Sequence, residues 1–285
     1  MNIVVKPDTK NIKNYINAGI NAFILCLENF SSCTKITWKL SEIKKLTKEY
    51  KDIDFYIEID KNIFNKDLEK LRKYLLEIDE LRISGIFFYD LSLINLKTKL
   101  NLKTDLIYSP NFLVTNYKTC NYYEEMGIKG ILISPCITKD EIKEIIEKTN
   151  INKFINVFGY QVMSFSKRHL VTNYFNEIKK DKKYKYIKKE GRKFEIIENE
   201  TGTYILSDTI LNGMKYLNYF KDSNIILNEI SINHNKFLKV IKKYIESIKE
   251  NKDLTKDIEK IIPNTSLQFF DKETIVRVKK WKKNV

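Results

Sequence analysis

The sequence predicts an α/β protein whose parallel strands close into a (β/α)8 barrel. Short apolar runs alternate with amphipathic helical segments, and eight strand-then-helix units follow one another. The strand runs are continuously apolar, which is typical of parallel strands covered on both faces. The length of 285 residues and the hydrophobic fraction of 43% suffice for one large packed domain. Two smaller domains or an open doubly wound sheet are the alternatives.

The predicted strands and helices alternate from the first residues to about residue 249. The strands are the apolar runs at residues 3–5, 22–27, 55–59, 85–89, 106–108, 130–133, 154–158 and 224–230. The helices have apolar side chains three and four residues apart, at about residues 12–19, 37–50, 65–78, 91–100, 115–126, 138–148, 170–174 and 235–249.

One insertion interrupts this alternation between the seventh and eighth strands. Two β runs flank the segment Asn-Glu-Thr-Gly at residues 199–202, which is a hairpin signal with a glycine for the positive-φ position. Residues 179–189 (KKDKKYKYIKK) interleave tyrosines with lysines, a pattern suited to phosphate contacts and base stacking, although a solvated edge strand fits equally well. We predict a barrel domain over residues 1–250, including a hairpin insertion at about 180–207, and a C-terminal extension over residues 251–285.

The overall charge favours a polyanionic partner without deciding it. The net charge is +14 and the isoelectric point is about 9.3. The sequence is also rich in lysine, asparagine and isoleucine and poor in arginine, so compositional drift would raise the lysine content of any solvated surface. No apolar run is long enough to cross a membrane, and the first ten residues do not resemble a secretory signal. We therefore expect a cytoplasmic location and no membrane partner.

The cysteine pattern predicts free thiols. Cys26, Cys33, Cys120 and Cys136 are scattered and form no CxxC pair, so buried unreactive thiols are expected in a cytosolic protein. A metal site that includes Cys26 and Cys33 is the alternative.

Residues 157–172 (VFGYQVMSFSKRHLVT) form the most informative stretch. An apolar strand breaks at Gly159 and continues as a polar and aromatic loop, which is where α/β proteins commonly place their chemistry. The loop resembles the signature of the peptidase U32 family, a Gly with a Cys three residues on and then Tyr-Ser-Gly-Arg-Cys-Leu-Leu. Phe165, Ser166, Arg168 and Leu170 fit that signature, whereas its two cysteines fall on Val162 and His169.

The resemblance extends over most of the chain. Further similar stretches lie at residues 18–31, 109–116, 126–134, 198–207 and 273–279. Membership implies the barrel fold, and members of the family act as peptidases, in RNA modification or in ubiquinone synthesis. This chain resembles short, cysteine-poor members that occur beside a longer cysteine-bearing paralogue. For such members the resemblance implies a tRNA-modification factor for 5-hydroxylation of the wobble uridine, whereas a collagenase-like protease is the alternative.

The resemblance also bears on cofactors, because family members with the cysteine signature hold an iron–sulfur cluster. This chain has Val162 and His169 at those positions, so a four-thiolate site is not restored. We expect no directly bound cluster.

Arg168 is the most specific candidate for ligand binding, because it lies in the signature loop of a chain with few arginines. Its planar guanidinium suits a bidentate contact to an anion such as a small carboxylated metabolite, with neutral hydrogen bonds from Ser109, Asn111 and Tyr160. A structural salt bridge is the alternative role for Arg168. The acids Glu28, Glu58, Asp60 and Asp90 follow the second to fourth strands and are either ligand-binding groups or caps and loop acids.

For RNA, two lysine-rich segments are the candidates. Their residues are Lys182, Lys183, Lys185, Lys188, Lys279 and Lys280.

A peptidase would need an activated nucleophile or a metal-bound water. The chain has two histidines and neither an HExxH nor a GxSxG motif. A dyad of Cys136 and His234 could bridge the sixth and eighth strand ends, although a buried inert thiol is the better explanation of Cys136.

Overall fold

The computed structural model describes residues 1–32, 34–179 and 186–272. Within them the strands are, in chain order, β1 (Asn2–Lys6), β2 (Ala22–Cys26), β3 (Asp54–Ile59), β4 (Gly85–Phe88), β5 (Leu106–Tyr108), β6 (Gly130–Leu132), β7 (Asn152–Gly159), β8 (Val162–Ser166), β9 (Tyr186–Lys189), β10 (Arg192–Asn199), β11 (Gly202–Leu206), β12 (Ile210–Asn212), β13 (Asn224–Asn228) and β14 (Thr265–Ser266).

The helices of the described residues follow the predicted periodicity closely. They are α1 (Ile12–Asn17), α2 (Leu40–Glu49), α3 (Leu68–Asp79), α4 (Ser92–Leu100), α5 (Tyr117–Glu125), α6 (Lys139–Glu147), α7 (Leu170–Glu177), α8 (His234–Glu250) and α9 (Thr255–Ile261). Short 3-10 helices cover Asn65–Asp67, Met214–Phe220 and Gln268–Asp271. No helix among these is both long and apolar enough to span a membrane.

Eight parallel strands close into a barrel. Strands β1 to β7 pair in sequence order, and β13 lies between β7 and β1 with parallel pairing to both. Each of the strands β1 to β6 is followed by a helix that packs outside, as the alternation of the sequence predicts. Strand β7 instead leads into a separate sheet, and α8 follows β13. The (β/α)8 prediction is therefore confirmed.

The apolar strands are buried on two faces, which explains why their sequences are continuous rather than alternating. One face fills the barrel interior with Val4, Ala22, Ile24, Phe87, Ile107, Leu132, Phe154 and Ile226. At its centre the rings of Phe87 and Phe154 meet edge to face, with centroids 4.8 Å apart. The opposite face of the same strands packs against the helices in a second, larger cluster. The interior is therefore a packed core and not a pore.

The chain leaves the barrel after β7 and builds a separate four-stranded antiparallel sheet in the order β8-β11-β10-β9. We call residues 160–209, so far as they are described, the excursion. The predicted hairpin joins β10 to β11, where Asn199 pairs with Gly202. The expectation of an irregular loop after Gly159 is wrong over residues 162–166, because β8 pairs with β11 there.

The segment after residue 250 packs onto the barrel. Strand β14 pairs with β12, which in turn pairs with β7. Ile258, Ile262 and Phe270 belong to the main apolar cluster, and Phe270 contacts Phe220 with ring centroids 5.5 Å apart. The segment therefore contributes side chains to the same core as the barrel helices.

Gly159 ends β7 at the point where the excursion begins. Its φ is +125°, and a Cβ built there would lie 2.5 Å from the backbone oxygen of Asn228, the last residue of β13. Real Cβ atoms do not approach a backbone oxygen so closely, so only glycine lets the ends of β7 and β13 come together. Gly127 also has a positive φ, but no atom lies within 4 Å of its Cβ position.

These two glycines provide a matched test of barrel closure. Gly127→Ala should lower the free energy of unfolding by about 1 kcal/mol, through backbone strain alone. Gly159→Ala should lower it by about 3 kcal/mol or more, because a clash with backbone is added to the strain. Urea unfolding followed by circular dichroism measures both losses. Equal losses in the two variants would show that the close approach at Gly159 contributes nothing to stability.

Candidate functional site

Above the apolar interior layer, the barrel becomes polar. Side chains two residues apart on a strand point to the same side of the sheet, so Lys6 follows Val4, Cys26 follows Ile24 and Glu58 follows Tyr56 into the interior. The same alternation places Asn156 after Phe154 and Asn228 after Ile226. This polar layer lies at the carboxyl ends of the strands, where (β/α)8 barrels carry their active sites.

A cavity of about 80 Å³ lies at this layer, and we call it the well. Its apolar floor is formed by interior side chains, namely Ile24, Phe87, Leu132 and Ile226. Its polar lining includes Lys6, Glu58, Asp60, Ser109, Asn156 and Asn228. The well is therefore a small space with charged and amide groups above a hydrocarbon base.

An ion pair between Lys6 and Glu58 forms the centre of the well. Glu58 is only 7% exposed, and it also accepts a hydrogen bond from the Cys26 thiol, with sulfur and oxygen 3.1 Å apart. Residues 26 and 58 are paired neighbours on β2 and β3, which explains that contact. Asp60, just past β3, accepts a hydrogen bond of 2.5 Å from the Ser32 amide. One cation thus faces two carboxylates in a largely buried layer.

Burial and mutual charge set the protonation of this cluster. Burial raises the pKa of Asp60, and the neighbouring Glu58 carboxylate raises it further, to about 6. Burial also raises the pKa of the Cys26 thiol well above its ordinary value, so Cys26 is neutral near pH 7. Burial by itself lowers the pKa of Lys6, but the surrounding Cys26, Glu58 and Asp60 outweigh it and the pKa is raised. Asp60 is therefore the group of this cluster that exchanges a proton near neutral pH.

The well adjoins a second cavity of about 520 Å³, which we call the vestibule. Asp60, Asn111, Phe112 and Val162 line both spaces, so the vestibule leads to the well. Its walls are the loop after β3, the loop after β5 and the β8–β11 side of the excursion. Its volume lies within the range of about 300–1,000 Å³ that is usual for ligand sites.

Exposed aromatic rings and lysines line the vestibule. Phe64 is 47%, Phe112 39% and Phe165 57% exposed, and all three belong to its walls. The Lys167 ammonium lies 4.7 Å from the centroid of the Phe64 ring. Phe165 is nearly parallel to the buried Tyr204, at 18° with centroids 6.3 Å apart. Phe165 is therefore supported by a buried ring, and all three phenylalanines keep part of their surface exposed at the cavity.

The structure brings together four of the residues predicted to bind a ligand. Glu58, Ser109, Asn111 and Tyr160 all line the well, although they come from strands or loops far apart in the sequence. Burial, aided by Glu195, raises the pKa of the Tyr160 phenol, so this hydroxyl is a neutral hydrogen-bonding group. Their ligand-binding role remains a prediction.

Three other predicted residues, Arg168, Glu28 and Asp90, are not among the residues that line the two cavities. The Arg168 side chain is exposed, and its backbone carbonyl accepts a hydrogen bond from Thr203 at 2.8 Å. The Glu28 amide donates to the Trp38 carbonyl at 3.0 Å, and its side chain is half-buried. Arg168 therefore does not join Ser109, Asn111 and Tyr160 in one site, and its anion-binding role remains a prediction.

Asp90 fits the structural alternative considered from the sequence. Its carboxylate accepts hydrogen bonds from the amides of Ile63, at 2.9 Å, and Ser92, at 3.0 Å. Burial alone would raise its pKa, but these two hydrogen bonds outweigh burial and lower it. Asp90 thus ties the loop after β3 to the start of α4.

Of the six predicted RNA-binding lysines, one lies in the described part of the chain. Lys188 lies in β9 and is exposed. Lys182, Lys183, Lys185, Lys279 and Lys280 lie outside the described residues.

The residues at the two family cysteine positions do not fit an iron–sulfur cluster. Val162 begins β8 and lines the cavities, and His169 is exposed just before α7. Cys26, Cys120 and Cys136 are free thiols, whereas Cys33 lies outside the described residues, so the metal site considered for Cys26 and Cys33 is untested. In the described ranges, no group of three or more His, Cys, Asp or Glu side chains is arranged to hold a metal ion. The donor set is thus not that of a thiolate-held cluster.

His234, the proposed base of a peptidase dyad, is already engaged at both ring nitrogens. Its Nδ1 lies 2.8 Å from the buried Glu229 carboxylate, and its Nε2 lies 3.0 Å from the Asn14 amide nitrogen. Glu229 also accepts hydrogen bonds from the Tyr15 hydroxyl and, at 2.7 Å, from the Asp8 amide. Since the Asn14 amide nitrogen can only donate, Nε2 is the acceptor and the proton lies on Nδ1. His234 therefore belongs to a closed network that links α1, α8 and the end of β13.

Sequence reasoning missed Lys6 and Phe112. Lys6 ends a buried strand, and a lysine two residues after an interior valine is a signal that could have been used. Phe112 follows Ser109 and Asn111 in a loop, and no local pattern distinguishes it from an ordinary surface ring.

Comparison with known proteins bears on the identity of this site. The sequence profile of Peptidase family U32 matches residues 8–271. The chain belongs to this family. It is 26% identical over 217 residues to the tRNA hydroxylation protein P2 of Bacillus subtilis (strain 168), a match that covers 72% of this U32 chain and 70% of that protein.

A solved structure supports the fold of this U32 protein. The U32 peptidase Mk0906 matches with a TM-score of 0.50 at 12% identity, over 80% of this chain and 92% of that one. At this identity the likeness concerns the fold alone.

Because the pKa of Asp60 is raised, replacing its ionised carboxylate by a neutral amide should stabilise the protein. The folded chain holds this proton more tightly than the unfolded chain, whose aspartates titrate near 3.9, so stability falls as the pH rises from about 4 to about 6. Asp60→Asn should therefore raise the free energy of unfolding above about pH 6, by up to about 3 kcal/mol. The gain should vanish below about pH 4. Urea unfolding at a series of pH values measures it.

Asp90→Asn provides the control of opposite sign. Since the folded-state pKa of Asp90 is lowered, its stabilisation is present above about pH 4 and is lost as the pH falls through the folded pKa. Asp90→Asn should thus destabilise the protein at neutral pH. A loss of stability in Asp60→Asn comparable to that in Asp90→Asn would refute the assigned charge balance of the well.

Proposed function

We propose that this U32 protein is a tRNA-modification factor for 5-hydroxylation of the wobble uridine. It would act in the cytoplasm with a longer, cysteine-bearing U32 paralogue. The observation that carries the proposal is the 26% identity to a tRNA hydroxylation protein over more than two thirds of both chains. Because the match covers most of the barrel rather than one motif, the same substrate class is the simplest inference.

The geometry of the barrel mouth suits this function. The vestibule is wide, and its phenylalanines and lysines are residue types that contact bases and phosphates in RNA-binding proteins. The well beyond it holds Asp60, whose pKa of about 6 matches the requirement for moving a proton near neutral pH. We place the small carboxylated metabolite expected from the sequence at the rim formed by Ser109, Asn111 and Tyr160. Direct contact of that metabolite with Lys6 would require the Lys6–Glu58 pair to open.

The residues at the signature cysteine positions support different roles for this chain and the proposed paralogue. Hydroxylation at C5 is an oxidation, and the iron–sulfur cluster of cysteine-bearing members would reside in the paralogue, since Val162 and His169 supply no thiolate here. This chain would hold the tRNA and place the uridine.

The peptidase alternative has less support. Both ring nitrogens of His234 are hydrogen-bonded, and burial raises the pKa of the Cys136 thiol, which disfavours the reactive thiolate.

The function is tested by mass spectrometry of modified nucleosides in tRNA. A strain lacking this gene should lose 5-hydroxyuridine derivatives from wobble positions, and the wild-type gene should restore them. Asp60→Asn should fail to restore them even though the variant is expected to be the more stable protein. Glu69→Gln, which changes an acid on the outer surface of α3 with 81% side-chain exposure, serves as the control and should restore the modification. Unchanged nucleosides in the deletion strain would overturn the proposal.

The cofactor expectation has its own test. Protein purified alone without oxygen should contain no stoichiometric iron or acid-labile sulfide, because the signature cysteines are replaced. Stoichiometric iron in the wild-type protein would contradict the proposed division of labour.

A further inference from the structure

The vestibule has the chemistry of a nucleotide site rather than of a purely apolar groove. Three partly exposed phenylalanines from three different segments converge on it, namely Phe64, Phe112 and Phe165. Aromatic rings are the surface on which single-stranded bases stack. A groove for an apolar peptide would not need the cations described next.

Two lysines at the vestibule are available for an anion. Lys61 also lines it but lies 3.7 Å from the Asp67 carboxylate. Lys66 and Lys167 are exposed, and within the described part of the chain neither forms an ion pair. Lys167 instead lies over the Phe64 ring. An ammonium beside an exposed ring can contact a phosphate while a base packs on the aromatic surface.

The inner end of the vestibule is polar. Asp60 and Asn111 line both the vestibule and the well, so their side chains stand where the edge of an inserted base would arrive. A carboxylate accepts a hydrogen bond from a ring N–H, and an amide both donates and accepts. This combination fits the donor and acceptor edge of a pyrimidine.

We propose that the vestibule binds one unstacked pyrimidine nucleotide of an RNA loop, with its base packed on Phe165 and its phosphates at Lys66 and Lys167. The edge of the base points to Asp60 and Asn111. The choice of RNA and of a pyrimidine rests on the proposed function, whereas the stacking site itself rests on the geometry. A paired base cannot reach these groups, because its edge is occupied and its faces are stacked.

The binding test uses the full-length protein and two RNA probes. The first is a hairpin with a uridine at the first anticodon position of its loop, and the second is a fully paired duplex of equal length. Fluorescence anisotropy at fixed salt should show tighter binding of the hairpin. Phe165→Ala should weaken hairpin binding about tenfold, which is the usual effect of removing one base stack. Phe165→Trp keeps an aromatic ring at this position and should bind the hairpin as tightly as the wild-type protein.

Tyr122→Ala is the matched control for Phe165→Ala. Tyr122 lies on α5, is also 57% exposed and lines neither cavity. Its replacement should leave the affinity unchanged. Equal affinities of wild type and Phe165→Ala for the hairpin would overturn the proposal, and so would equal losses in Phe165→Ala and Tyr122→Ala.

The phosphate contacts have a separate signature. Lys66→Gln and Lys167→Gln should each reduce the slope of log affinity against log salt by about 1, whereas Lys45→Gln, an exposed lysine of α2, should not. Glu200→Gln should strengthen binding, because Glu200 is an acid of the vestibule wall. Slopes that do not respond to either vestibule lysine would remove the phosphate assignment.

The outcomes separate this inference from the proposed function. If the deletion strain loses wobble hydroxylation but Phe165→Ala binds the hairpin normally, the proposed function is supported and the vestibule nucleotide site is refuted. If Phe165→Ala loses hairpin binding but the deletion strain keeps its modified nucleosides, the vestibule nucleotide site is supported and the proposed role in hydroxylation is refuted. If Phe165→Ala binds RNA normally but no longer associates with the purified paralogue, the vestibule is a protein-docking surface and the inference is wrong.

Discussion

The pairing of β13 between β7 and β1 is the constraint on which the rest of the structure depends. Without it the seven earlier strands would form an open sheet, whose interior phenylalanines would face solvent. Val4 pairs with Ile226, and Ile226 pairs with Asn156, so one residue of β13 joins the first and seventh strands. The excursion must leave and return between β7 and β13, and both of its ends are therefore held at the mouth of the barrel.

Barrel closure also explains the charge cluster. A lysine, a cysteine and a glutamate on three neighbouring strands would be exposed on an open sheet, whereas closure buries them in one layer. Removing either partner of a buried ion pair leaves an uncompensated charge, so Lys6 and Glu58 stabilise the fold only as a pair. Asp60 is the additional acid of this layer, and its raised pKa reflects the energy needed to keep a second carboxylate ionised there. An acid that lowers stability when ionised, at the barrel end where (β/α)8 proteins carry their active sites, is a candidate for a functional role.

The excursion gives this small barrel a second wall. The β8–β11 pair carries Phe165 over Tyr204, and the loops after β3 and β5 carry Phe64 and Phe112 toward it. Glu198 reinforces the arrangement, because its carboxylate accepts hydrogen bonds from the first amides of α7, including Val171 at 2.7 Å. The vestibule thus depends on contacts between the barrel and the excursion.

The sequence by itself determined the elements and their order. Apolar runs and helical periodicity predicted all eight barrel strands and the helices between them, and the Asn-Glu-Thr-Gly segment predicted the hairpin, because these signals are carried by neighbouring residues. The signature loop indicated the family. It also contains Tyr160, which lines the well together with the predicted residues Glu58, Ser109 and Asn111, whose ligand-binding role remains a prediction.

Only the tertiary structure decided which of these residues share a site. It brought Lys6 to Glu58, left Arg168 exposed outside both cavities and used Asp90 to join two loops. It also replaced the expected loop at residues 162–166 by a strand, because β8 finds its partner β11 only after the chain has turned back. Burial, charge proximity and the convergence of rings arise between segments distant in the sequence. They are set when the barrel closes, and no local pattern encodes them.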